Sequence, residues 1–410
     1  LQFRKHTLNN GLTIVAEVNP KAYSAAYAFF VNTGSRDEQE VNSGVSHFLE
    51  HMVFKGTAKR SAADVNRELD EIGSQSNAFT SEEQTVYYAA VLPEYQERTI
   101  DLLADILRPS LREEDFETEK QVIIEEIHKY DDQPPFGGFE KGMSLYFGNH
   151  PLGNNILGSV ESVTALTPTA MRAYFDERYS PGNIVLAAAG NVDFDALVAA
   201  TDARCGAWQP FQVGRTVAAV EAQTVKELIE RENAGQEYMV QISGAPAAEE
   251  DDRYAARLLA TIFGDESGSR LFWALVDTGL ADYAVSSSYE FEGAGIVITS
   301  MSCNPAECKR VVEVINKLQQ QLQKDGVTDD ELELAKSKVC SQAVRRAERP
   351  ANRMFSVGNN WIQYQRYRTV RETVDSYQAV TREDVRRVLD RFPYLTHTTV
   401  FSGPLKSLPY

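Results

Sequence analysis

The sequence predicts an α+β protein made of two structurally similar, duplicated domains, each a mostly antiparallel sheet with helices packed on it. Three observations lead there. The 410 residues exceed what one hydrophobic core ordinarily serves, at roughly 100–200 residues per domain. Apolar runs of strand length alternate with segments of helical periodicity. The order of these elements in the first half recurs in the second.

Thr13 to Val18 and Ser24 to Thr33 read as strands, the second a long apolar run closed by the turn signal Asn32-Thr33-Gly34-Ser35. A helix follows, its first turn near Gly44-Val45-Ser46. Val45, Phe48, Leu49, Met52 and Val53 keep helical spacing until Lys55-Gly56-Thr57 ends it. A second helix covers Ala62 to Ile72 and stops at Gly73. A strand pair runs from Ser76-Asn77-Ala78-Phe79-Thr80 through Thr85 to Leu92, and helices from Pro93 to Leu107 and from Glu113 to Tyr130 complete the unit. In the second half, helix Asp252 to Phe263 takes the place of the first helix. Gly295 to Ser302 answers Thr85 to Leu92, Asn304 to Leu322 answers Pro93 to Leu107, and Thr328 to Ala343 answers Glu113 to Tyr130. Trp208 to Glu227 lacks clear periodicity and holds Pro210 and Gly214. The linker is therefore placed at about 208–227, between domains 1–212 and 226–410.

Composition excludes several classes of function. No stretch approaches the roughly 20 apolar residues of a membrane-spanning helix, so no membrane span is expected. The balance of 41 basic against 59 acidic residues, net −18, argues against a nucleic-acid partner, which is held by clustered Lys and Arg. The negative charge either lies on a solvated surface or lines a cavity suited to basic peptides. Cys205, Cys303, Cys308 and Cys340 form no C-x-x-C pair, which leaves no signal for a thiolate zinc site. A start at Leu1 fits a mature exported protein in the periplasm, with the cytoplasm as the alternative.

Chemistry concentrates on the first helix. The chain has six histidines, and His47 and His51 lie four apart, which puts both imidazoles on one helix face. Glu50 stands between them on the same turn, so its carboxylate points at whatever the histidines hold. The pattern H-x-x-E-H is a described zinc-peptidase signature, the reverse of H-E-x-x-H. Taken alone, the spacing also arises in an ordinary amphipathic helix. A catalytic zinc takes three protein ligands and keeps one position open, so a third ligand is needed. Glu119 and Glu126, seven apart, share a face of the helix after Glu113, and Glu126 follows the apolar run Val122-Ile123-Ile124, where an unpaired carboxylate is costly to bury. A solvated charged face is the other reading, and neighbouring Glu125 competes with Glu126. In the second copy the corresponding helix, Tyr254-Ala255-Ala256-Arg257-Leu258-Leu259-Ala260, has no histidine.

The run Gly44-Val45-Ser46-His47-Phe48-Leu49-Glu50-His51-Met52-Val53-Phe54-Lys55-Gly56-Thr57 resembles the pitrilysin/insulinase family of inverzincin peptidases, in particular the subunit type that includes the zinc subunit of mitochondrial processing peptidase. The resemblance extends through Ser76 to Thr80, Thr85-Val86-Tyr87-Tyr88, Glu119 to Ile127, His150-Pro151-Leu152-Gly153, Leu157-Gly158 and Tyr179-Ser180-Pro181-Gly182-Asn183. It implies one Zn2+ per chain, bound by His47, His51 and Glu126, with Glu50 as the catalytic general base and Glu119 orienting the site. It further implies that Asn77, Ala78, Phe79 and Thr80 begin an exposed edge strand to which a peptide substrate adds. Without the resemblance, the favoured reading of these four residues is an ordinary turn and strand start.

One departure implies a partner. The family commonly uses an Arg and a Tyr from a second-half motif, which this chain matches at Ser269-Arg270-Leu271-Phe272 and Gly279-Leu280-Ala281. Val276 stands where the Arg is expected, followed by Asp277 and Thr278. The tyrosine survives as Tyr283, and Arg270 lies too early to replace the missing residue. The expectation is a heterodimer in which a related subunit supplies the Arg/Tyr pair around an enclosed cavity, with a homodimer as the alternative. The expected activity is endopeptidase action on oligopeptides or unfolded segments. The competing reading is a non-catalytic structural or peptide-binding subunit of the same fold.

Overall fold

The computed structural model describes residues 1–131 and 133–410. In chain order the elements are β1 Gln2–Thr7, β2 Thr13–Val18, β3 Ala25–Val31, α1 Val45–Val53, α2 Ala62–Glu71, β4 Gln75–Thr80, β5 Thr85–Val91, α3 Gln96–Ile106, α4 Glu113–Asp131, α5 Pro134–Phe147, α6 Val160–Ala165, α7 Pro168–Arg178, β6 Ile184–Gly190 and α8 Phe194–Cys205. There follow β7 Lys226–Glu230, β8 Glu237–Ala245, α9 Arg253–Gly264, β9 Tyr283–Phe291, β10 Ala294–Cys303, α10 Cys308–Asp325, α11 Asp329–Ala347, α12 Pro350–Tyr364, α13 Val370–Gln378, α14 Arg382–Arg391 and β11 His397–Gly403.

The two sheets share one plan. The first runs β1-β2-β6-β3-β5-β4 and the second β7-β11-β8-β10-β9. In each, a single parallel pair, β2 with β6 and β7 with β11, interrupts an otherwise antiparallel ladder. Dropping β1 makes the two orders superimpose strand for strand, so the duplication read from element order is a duplication of topology. Among the described residues no helix is long and apolar enough to cross a membrane.

The compact units differ from the contiguous halves 1–212 and 226–410 expected from the sequence. One comprises residues 1–127, 154–216 and 345–369; the other comprises 128–153, 217–344 and 370–410. The linker region does contain a crossing, at 216/217, but a helix from each half has joined the opposite unit. In the first unit, α12 lays Met354, Val357 and Trp361 on Ala26, Ala28, Phe30, Val185, Ala187 and Ala189 of the sheet. In the second, α5 lays Met143, Tyr146 and Phe147 on Val240, Ile242, Ile296 and Ile298. The physical reason is two-sided burial: every residue of β3 and β6 in the first sheet and of β11 in the second is buried, so each sheet needs a cover on its second face. The long apolar run at Ser24 to Thr33 is the mark of that double burial.

Two features hold α12 on the first sheet. Arg353 reaches into the sheet and forms a bidentate pair with buried Glu17 of β2, which also accepts the Tyr367 hydroxyl at 2.6 Å. Removing one partner of such a pair typically costs about 3–5 kcal/mol. Gly358 lets the helix backbone press on Phe30, since a Cβ there would overlap the ring. Gly358→Ala is expected to destabilise the protein by about 1–3 kcal/mol through overpacking. Chemical denaturation would register this as a lower midpoint at unchanged slope, and an unchanged midpoint would show that α12 does not depend on this close approach.

Candidate metal centre

The site is assembled on α1. Gly44 precedes the helix with φ of 89°, and a Cβ there would lie 2.6 Å from the Leu157 carbonyl, so the residue at the helix start carries no side chain to cap it. Glu38 does so instead: its two carboxylate oxygens accept the N–H groups of Gly44 and Ser46 at 2.7 Å each. Burial pushes the Glu38 carboxyl up to about 8, against the pull of these donors. The Ser46 hydroxyl meets Tyr174 at 2.7 Å, and Phe48 stacks on Phe116 of α4 at 4.4 Å between ring centres. Helix α1 is thereby fixed to the helix that carries the acidic residues.

Between the same two helices, His47 and His51 of α1 converge with Glu126 of α4, with one ligand atom from each within 4.8 Å of the others. Glu126 Oε2 lies 3.8 Å from His47 Nε2 and 3.6 Å from His51 Nε2. Glu125, which the sequence left in competition, is exposed and outside the cluster. Glu119 accepts from His51 Nδ1 at 2.8 Å and pairs with Lys55 Nζ at 2.5 Å. Burial disfavours ionised Glu119, but His51 and Lys55 outweigh it and hold its carboxyl below the usual range. The His47 imidazole is pushed down to about 3 by burial, with His51 adding to the fall, so its ring stays neutral. His51 moves the other way, because Glu119, Glu126 and Glu50 together outweigh its burial.

This donor set fits zinc. With Glu119 holding the proton of His51 on Nδ1, the Nε2 lone pair faces a carboxylate oxygen, and neutral His47 adds a third donor, an arrangement that favours a shared cation. The two separations from Glu126, 3.8 and 3.6 Å, are slightly wider than the edge of about 3.4 Å in a tetrahedron built on bonds of about 2.1 Å. Two imidazoles and one carboxylate leave a fourth position open. Glu50, next to the cluster, has its carboxyl raised by burial, while the hydroxyl of Thr80 donates to its Oε2 at 2.7 Å and opposes the rise.

Of the remaining residues singled out from sequence, Asn77, Ala78, Phe79 and Thr80 lie on β4, the edge strand. Asn77 and Phe79 are exposed, whereas Thr80 directs its hydroxyl at Glu50. Tyr283 opens β9 of the other unit, opposite Ser302 on β10, and burial raises its phenol. Arg270 is engaged by Glu331 at 2.7 Å and by the Gly326 carbonyl, and Val276 packs against the apolar core of that unit. Sequence reasoning missed Glu38 and Lys55. Lys55 follows His51 by four residues and was findable by helical spacing, whereas Glu38 lies in an irregular segment with no periodic signal. Glu119→Gln is expected to weaken metal binding roughly 10–100-fold by loosening His51. Competition with a chromogenic chelator would measure it, and wild-type affinity would deny Glu119 an orienting role.

A family model described as Insulinase (Peptidase family M16) matches residues 13–160, and one described as Peptidase M16 inactive domain matches residues 165–339. A protein of Mycobacterium tuberculosis named a zinc protease is 33% identical over 99% of this chain and 95% of its own length. One of Bacillus subtilis, also named a zinc protease, is 32% identical over 93% of each. Among solved structures, a protease from Helicobacter pylori shares the fold with a TM-score of 0.91 at 21% identity, over 98% of this chain and 99% of the other. A chain of Complex III2 from Candida albicans does so with a TM-score of 0.84 at 18% identity, over 98% and 96%. With both halves matched in order and full-length relatives above 30% identity, this chain belongs to the insulinase family of peptidases, family M16.

Proposed function

We propose that this M16 zinc metallopeptidase is an endopeptidase for oligopeptides and unfolded segments, with one Zn2+ on His47, His51 and Glu126 and with Glu50 as general base. The observation that carries the reading is the placement of Glu50: its carboxylate adjoins three convergent ligands and is tied to an open edge strand. His47, His51 and Glu126 would hold the zinc, which would supply Lewis acidity to acidify a water toward a pKa of about 7 and to polarise a peptide carbonyl. Glu50 would take a proton from the water that attacks the carbonyl carbon and deliver it to the leaving amine as the C–N bond breaks. Burial makes Glu50 a better base, and the Thr80 hydrogen bond keeps it aimed. Strand β4 offers its free edge to an extended peptide, a mode that reads backbone more than side chains.

The same reading assigns the chain to a heterodimer as its zinc-bearing subunit. In support, Val276 occupies the position where an Arg is expected, and Arg270 is already engaged by Glu331. A related subunit would supply the Arg/Tyr pair that stabilises the developing oxyanion. A homodimer without that Arg is the alternative and should be a poor catalyst.

Glu50→Gln is expected to keep its zinc and to lose on the order of 10²–10⁴ in kcat, read with a quenched fluorescent peptide alongside metal analysis. Retained turnover in that variant would sink the assignment of the base. Chelation should abolish cleavage and zinc should restore it. In the same assay, full activity of the chain by itself would defeat the heterodimer, whereas activity that appears only on adding a related subunit carrying the Arg/Tyr pair would support it.

A further inference from the structure

The linker has no regular secondary structure from 209 to 225, yet its first part is held to the first unit by side chains. Asn10 donates to the carbonyls of Cys205, Gly206 and Trp208, and the Arg108 guanidinium lies 3.5 Å from the centre of the Trp208 ring. Ser180 Oγ donates to the Phe211 carbonyl at 2.7 Å and accepts the Phe211 N–H at 3.0 Å. Beyond that point Gln212, Gly214 and Thr216 are exposed, whereas the Arg215 side chain is only 9% exposed. The chain leaves the unit one residue later, at 216/217. Arg215 is thus a buried anchor at the end of an exposed strap.

Its fork engages two segments at once. Nε and Nη2 donate to the two oxygens of Asp37 at 2.9 and 2.6 Å, and Nη2 also donates to the Glu83 carbonyl at 2.7 Å. Arg178, the last residue of α7, meets the same Asp37 at 2.7 Å and donates to the Gly214 carbonyl at 2.9 Å. Asp37 accepts the Gly34 N–H at 3.0 Å, while the N–H groups of Ser35 and Arg36 donate to the carbonyls of Ser81 and Glu82 at 3.2 and 2.8 Å. The loop before α1 and the turn after β4 are therefore one assembly, and Arg215 spans it.

The residues next to each segment give that span its consequence. Glu38, beside Asp37, accepts the N–H groups of Gly44 and Ser46 and fixes where α1 begins. Thr80, beside the turn, directs its hydroxyl at Glu50. Glu50 is placed from two sides, by the start of its own helix and by the end of β4, and both sides meet at Arg215. A bidentate Arg–carboxylate pair fixes orientation as well as distance, which a bare tether does not need.

We propose that Arg215 is a positioning residue through which the linker holds the start of α1 and the end of β4 at the separation that keeps Glu50 aimed at the metal centre. The inference rests on the reading of Glu50 as general base. It makes the attachment of the linker, and not the sheet alone, a determinant of the catalytic rate, although Arg215 is outside the ligand cluster.

The experiment uses the full chain with whatever subunit its activity needs. Arg215→Met leaves Asp37 with Arg178 and Glu83 with Arg36, so neither buried carboxylate loses its last partner and the variant should fold. In the metal-free protein, hydrogen exchange followed by mass spectrometry should find the amides at the start of α1 exchanging on the order of tenfold faster than in the wild type. In the zinc-loaded enzyme, kcat should fall on the order of 10–100-fold while KM stays within about threefold. Gly358→Ala, which strains the same unit away from this clamp, should leave kcat at its wild-type value. Arg215→Lys keeps the charge and loses the fork, and it reads the same quantities in the same direction if the Met variant does not fold. Wild-type exchange in the Arg215 variant, faster exchange with wild-type kcat, or an equal loss of kcat in Gly358→Ala would each overturn the inference. A wild type that cleaves no peptide would defeat the endopeptidase reading, and the exchange measurement would still decide whether Arg215 holds α1.

Discussion

Three electron-pair donors, a ring nitrogen from each of His47 and His51 and a carboxylate oxygen of Glu126, are brought within 4.8 Å of one another, and the surrounding structure is arranged to hold that unfavourable convergence. Lone pairs facing one another repel, and burying them without a cation is costly. Rigidity is therefore required of two separate helices at once. Burial of Val45, Phe48, Leu49 and Met52 fixes the rotation of α1, and the Phe48–Phe116 stack fixes its distance from α4. Glu38 fixes where the helix begins. Its carboxyl group takes over the capping that a glycine start cannot provide, accepting the N–H groups of Gly44 and Ser46. A displacement at that end would carry His47, Glu50 and His51 together, since all three lie within two turns of it.

The electrostatics around the cluster separate two carboxylates on the same pattern that separates acid from base in other active sites. Glu119, between His51 and Lys55, is held toward its ionised form. Glu50, buried and without a cationic side chain in hydrogen-bond contact, is shifted toward proton uptake. The shift acts only if the carboxylate also points at the reacting water. That aim comes from β4, an element that serves the sheet on its inner side and is open on its outer one. In the proposed endopeptidase, base geometry and substrate geometry share a single strand.

What the sequence made legible is what local geometry controls. The four-residue spacing of His47 and His51 defines a helix face whatever surrounds it, and seven residues between Glu119 and Glu126 do the same. The helix and strand cores fell at the expected places: Thr13–Val18 is a strand as read, and the helix read as Glu113 to Tyr130 spans Glu113–Asp131. Glu125 and Glu126 stayed ambiguous because adjacent residues differ by about 100° around a helix, and only packing against α1 decides between them. The exchange of α5 and α12 was invisible for a deeper reason. Both helices have ordinary apolar faces, and nothing in periodicity states which sheet a face will cover. Glu38 and the Thr80–Glu50 bond were unreadable because they join an irregular segment and an edge strand to a helix distant in sequence.

The second unit shows why frame and chemistry can part company. Its sheet repeats the strand order of the first, and α9 stands between β8 and β9 as α1 stands between β3 and β4. Helix α9 buries Ala255, Ala256, Leu258, Leu259 and Ile262 in an apolar core that includes Leu271, Leu275 and Val311. Apolar burial sets the frame, and many sequences of similar volume satisfy it. A metal centre has no such latitude, since each ligand must be one of a few residue types at one position. Buried imidazoles and carboxylates are costly where no cation joins them, so a copy that carries no histidine on this helix is free to fill the same space with alanine and leucine. Among the described residues, the His47, Glu50 and His51 turn of α1, facing Glu126, is where the two requirements are met together.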